Sequence, residues 1–88
     1  MNEKLYEKIQ QKIEETISNK DEIKQIFQTL SGLENSKEFT FGILIGRLYN
    51  SFYYQSKRIL NREPTKEEFD EFLEIIQNRK SELENLCL

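Results

Sequence analysis

The sequence predicts an all-α protein, a single small helical bundle, and three observations carry that prediction. Proline occurs once and glycine three times in 88 residues, which is poor material for the turns of an all-β fold. Lys, Glu, Gln and Leu, all good helix formers, dominate the composition. Apolar residues recur at helical spacing in each of the major segments. At 88 residues the chain has room for one core and one domain, spanning residues 1–88. So short a chain buries little apolar surface, and its stability must come from helices packed along their whole length.

The first segment, about 3–18, sets Leu5, Ile9, Ile13 and Ile17 at successive i+4 steps with Tyr6 alongside. That is one apolar stripe on a Glu/Lys/Gln helix. The second, about 20–31, places Ile23, Ile26, Phe27 and Leu30 on one face and stops at Ser31-Gly32. Between them, Asn19 and Glu22 have N-terminal capping spacing, and Ser, Asn and Asp are weak in helix interiors. A break is therefore expected near residue 19. The alternative is three long helices, with these first two segments fused into one kinked helix.

The third segment, about 37–61, is the most apolar. It carries most of the aromatic residues and two of the glycines, and it ends in basic residues. Phe41, Ile45, Leu48, Phe52 and Ile59 fall in one row, with Ser56 filling its gap. Gly42, Gly46, Tyr49, Tyr53 and Leu60 flank that row, while Arg47, Ser51, Tyr54 and Arg58 point away. An apolar arc this wide exceeds the ~100° stripe of a surface helix, so this element is expected to be the one the others wrap. The fourth segment, about 65–85, opens with the spacing of a capping box, Thr65 and Glu68. Acidic residues crowd its first turns, as the helix dipole favours. Phe69, Phe72, Leu73, Ile76 and Leu83 form its expected core stripe, and Glu74 to Glu82 reads as uninterrupted helix.

The net charge of -3 is unevenly spread. Residues 1–31 hold five lysines against six acids. Residues 32–62 hold Lys37, Arg47, Lys57, Arg58 and Arg62 against two acids, and residues 63–88 hold three bases against eight acids. The third helix is thus basic and the fourth acidic, through mutual attraction or because the basic surface seeks an anionic partner.

Chemistry-bearing motifs are few. The chain contains no histidine, which removes Ser–His and Cys–His nucleophile pairs and the Glu-x-x-His ligands of di-iron bundles. There is no phosphate-cradling glycine loop and no cysteine cluster for zinc. Glu67, Glu71 and Glu74 share one helix face, which reads as a solvated acidic surface. No catalytic residue, metal, cofactor or small-molecule substrate is expected, and the chain reads as a non-enzyme. One cysteine, Cys87, has no internal partner. With no secretory-type opening and no stretch near the about 20 apolar residues of a membrane span, the expectation is a cytoplasmic protein that does not enter membranes.

Two surfaces remain as candidates. Gly42 and Gly46 have small-xxx-small spacing, which lets a helix approach closely. That means either a tight crossing inside the bundle or a contact with another copy, along an edge of Gly42, Gly46, Tyr49, Asn50 and Tyr53. A polar Asn beside an apolar row can fix register in such a contact. The main functional expectation is therefore protein–protein association, as a homo-oligomer or an adaptor. The alternative is nucleic-acid binding by Tyr54, Lys57, Arg58 and Arg62, which interleave aromatic and basic groups. Residues 61–73, Asn-Arg-Glu-Pro-Thr-Lys-Glu-Glu-Phe-Asp-Glu-Phe-Leu, are locally similar to the segment opening helix-turn-helix units of bacterial sigma factors. A helix-turn-helix needs a short turn and a recognition helix next, and the sequence supplies neither, so the chain is not assigned to that family.

Overall fold

The structure, a computed structural model, describes residues 1–29 and 37–86. The expected glycine stop after the second segment, the start of the third after Asn35 or Ser36, and Cys87 lie outside the described residues, as does the side chain of Phe27. Among the described residues five helices follow one another: α1 (Glu3–Ser18), α2 (Lys20–Thr29), α3 (Lys37–Leu60), α4 (Lys66–Asn78) and α5 (Lys80–Asn85). The protein is a small all-helical bundle. At 1.5 Å per residue the 24 residues of α3 span nearly the whole 40 Å long axis, which makes it the spine expected of it.

Asn2 caps α1 by accepting from the Leu5 N–H at 3.0 Å. Leu5, Ile9 and Ile13 are buried as their spacing predicts, and Thr16 joins them, with Ile17 packed at the edge. The Thr16 hydroxyl is satisfied by donating to the Lys12 carbonyl at 2.8 Å. The chain bends at Asn19, which leaves helical geometry (φ -100°, ψ 28°) and closes α1 by donating its N–H to the Glu15 and Thr16 carbonyls. Its own carbonyl still accepts from Ile23 at 3.3 Å. The break is therefore a hinge of one residue, lying between the two readings of the sequence. From α2, Ile23 is fully in the core while Ile26 stands 39% exposed.

The inward face of α3 is turned from the predicted row. Leu44, Leu48 and Phe52 are the buried apolar residues, with Ser56 and Gln55 beside them, whereas Phe41, Ile45 and Ile59 are only partly buried. Residues 41–45 offer apolar side chains in nearly every direction, so periodicity alone could not choose among them. Ser56 does fill the row as expected, satisfied by donating to the Phe52 carbonyl at 2.9 Å. Asn61, at φ 60°, ends α3 with the left-handed turn that Asn tolerates better than most residues.

The capping box at α4 is present in both halves. Glu68 N–H donates to the Thr65 hydroxyl at 3.2 Å, and Thr65 N–H donates to Glu68 Oε1 at 2.9 Å. Phe72 stacks on Phe52 with centroids 4.6 Å apart and planes 9° from parallel. Two expectations need correction here. Leu73, placed in the core stripe, is 47% exposed, and Ile75 takes its place beside Ile76. The single helix expected over 65–85 is broken at Arg79 (φ -113°, ψ 17°). No glycine or proline forces the break; the guanidinium of Arg79 reaches Gln10 Oε1 at 3.0 Å and the Glu14 carboxylate on α1 while also holding Glu82. Redirected there, α5 packs against α3 and buries Leu83 and Leu86.

Candidate association surface and basic groove

Directly opposite the buried face of α3 lies the line Gly42, Gly46, Asn50, all exposed, with Tyr53 half-buried at its side. A Cβ placed on either glycine would meet nothing within 4 Å. This corrects one of the two readings of the glycine pair: among the described residues no helix of the bundle crosses there. Tyr49, 43% exposed, leans the other way. Its ring meets Phe69 edge-on at 5.9 Å and Phe72 at 6.2 Å, and also stands 6.2 Å from Tyr53. The aromatic layer that begins with Phe52 and Phe72 in the core therefore continues through Tyr49 to the surface.

The residues proposed for nucleic acid do not stay together. Arg62 is committed to Glu68 in a two-pronged pair, Nη1 to Oε1 at 2.7 Å and Nη2 to Oε2 at 3.2 Å. That guanidinium, with the Thr65 backbone bond, holds the buried carboxyl of Glu68 down at about 2. Arg62 is thus part of the clasp that joins α3 to α4. Tyr54, 61% exposed, and Lys57 instead line a groove of about 430 Å³ together with Asn50, Ser51, Tyr53 and, from α1, Lys12. Arg58 is exposed on the same helix. Sequence periodicity could not have found Lys12, because its place depends on how α1 lies against α3.

The groove carries its own counter-charges. Lys57 Nζ lies over the Tyr53 ring, 5.5 Å from its centroid, and 4.0 Å from Glu63 Oε1. Interaction with the same Glu63 carboxylate raises the Tyr53 phenol above its ordinary value. Lys12 pairs with Glu15 at 3.1 Å. All four ionic side chains are substantially exposed, so these pairs are worth little individually.

Elsewhere the ionisable groups serve the fold. Between α1 and α4 a second groove of about 400 Å³ is lined by Tyr6, Gln10, Glu71, Glu74 and Arg79 among others. Its single cation is occupied by Glu82, Glu14 and Gln10, and hydrogen bonds to Glu82 and Glu14 push the Arg79 guanidinium further up. Among the described residues no group of three or more His, Cys, Asp and Glu side chains is placed to hold a metal ion. Nor, among them, is any helix long and apolar enough to cross a membrane. Arg79 joins α4 to α5 as a single non-helical residue, which is not the three- to four-residue turn of a helix-turn-helix. What fold and surface define together is a small helical bundle with one open helix face and one basic groove. No protein-family model, curated protein or solved structure matches the chain.

Proposed function

We propose that this protein is a non-catalytic association module whose working surface is the outer face of α3, and that its partner there is a second copy of the chain. The observation that carries the reading is the empty space around Gly42 and Gly46. A glycine inside a helix costs about 1 kcal/mol relative to alanine, and among the described residues no close crossing offsets that cost at either position. A helix from another copy, packed across the glycines, would offset it by close backbone approach. Asn50, one turn further on, would set the register, and the exposed edge of Tyr49 would add aromatic area at the rim.

The test is the oligomeric state over a wide concentration range, by sedimentation equilibrium or light scattering. A reversible dimer is expected, and Gly42→Ala with Gly46→Ala should move it towards monomer while raising the thermal midpoint of the monomer. A wild-type chain that stays monomeric at the highest concentration removes self-association.

A further inference from the structure

Glu63 shows that an anion pairs with Lys57, one of the residues lining the groove between α1 and α3. Its carboxylate lies 4.0 Å from the Lys57 ammonium and near enough to Tyr53 to raise that phenol. Tyr53 and Lys57 are one turn apart on α3, so a phenol and an ammonium stand side by side on one helix face. Lys12 adds a second ammonium from α1. The resident carboxylates, Glu63 and Glu15, are 66% and 47% exposed, so the ion pairs they form are weak and can be displaced. A phosphate monoester presents more acceptor oxygens and more charge than either carboxylate, and a strand presents phosphodiesters in a row. Beside this point the ring of Tyr54 is open to solvent, and the Asn50 amide and Ser51 hydroxyl line the same wall.

We propose that this groove binds a nucleotide, its phosphate replacing Glu63 at Tyr53 and Lys57 with help from Lys12, and its base lying on Tyr54. The chemistry is shared by a free nucleotide and by a nucleotide within a single strand. Lys4 and Lys8 continue the Lys12 row at i+4 steps along α1, and Arg58 lies one turn beyond Tyr54 on α3. Cationic surface thus extends past one phosphate, and a strand binds more tightly than a monophosphate. The site does not depend on association through the glycines, although it shares Asn50 and Tyr53 with that face.

The full chain is titrated at low salt with a nucleoside monophosphate by calorimetry, and with a short labelled oligothymidylate by fluorescence anisotropy. Lys12→Ala and Lys57→Ala should each weaken strand binding and lower its salt slope by about 0.7. Tyr54→Ala should weaken it about 5- to 100-fold through lost stacking. Glu63→Gln should strengthen it, because a competing anion is removed. At concentrations where the chain is monomeric, Gly42→Ala with Gly46→Ala should leave it unchanged, which separates this site from the association face. Binding of the monophosphate as tight as that of the strand would assign the groove to free nucleotides. Absence of binding by either probe overturns the proposal, and so does binding indifferent to Glu63→Gln and Tyr54→Ala, which is general charge attraction.

Discussion

The two faces of α3 obey opposite rules. On the inner face Leu44, Leu48 and Phe52 are at most 2% exposed, and Ser56, a polar residue among them, spends its hydroxyl on its own helix. On the outer face two glycines and an asparagine hold open space. The inner face is filled by bulky side chains, and the outer is open at its glycines. Within a single helix, then, bulk marks where the chain folds on itself, and the lack of it marks where another molecule can come close.

The contrast is broken most severely from inside. Phe52→Ala removes one ring of the stacked pair with Phe72 and should cost about 3–5 kcal/mol, read as a lower midpoint in urea; a loss under about 1 kcal/mol would mean that the core does not depend on this layer. Acid comes next. Glu68 titrates near 2 in the fold and near its ordinary value of about 4.5 when unfolded. Its contribution is therefore full above pH 4.5 and lost as pH falls towards 2. Screening at the half-exposed Arg62 limits the effect to about 1–2 kcal/mol. Arg62→Ala should flatten this part of the stability–pH curve, and an unchanged curve would place the acid sensitivity elsewhere.

The inner face has one flaw of its own. Gln55 is 5% exposed and its Oε1 accepts no hydrogen bond from the described residues. Gln55→Leu should raise stability by about 1 kcal/mol, and a loss on chemical denaturation would show that the amide is needed. The smallest change sharpens the contrast from outside. Gly42→Ala and Gly46→Ala should each stabilise the monomer by about 0.5–1 kcal/mol, measured as melting temperature in dilute solution. Destabilisation by either would mean that the outer face is less open than its geometry.

Features set by local chemistry were legible in the sequence. The Thr65/Glu68 box, the weak point at Asn19 and the Leu5–Ile9–Ile13 stripe all depend on residues within a few positions of one another. What escaped depends on distant partners. The break at Arg79 answers to Gln10 and Glu14, 69 and 65 residues away. The rotation that favours Leu44 over Phe41 and Ile45 is settled by how the neighbouring helices lie. Of the candidate surfaces, the glycine line could be named but its emptiness could not. The groove was half visible: Tyr54 and Lys57 stand in it, Arg62 does not, and Lys12 enters from another helix.

The hook at Arg79 also bears on when the molecule can finish folding. Leu83 and Leu86 complete the core from beyond the hook, so a nascent chain ending before them carries an apolar flank along its longest helix. Biosynthesis must therefore run almost to residue 86 before that flank is covered, and until then collapse with neighbouring nascent chains competes with correct closure. The protein's most vulnerable moment is in its making.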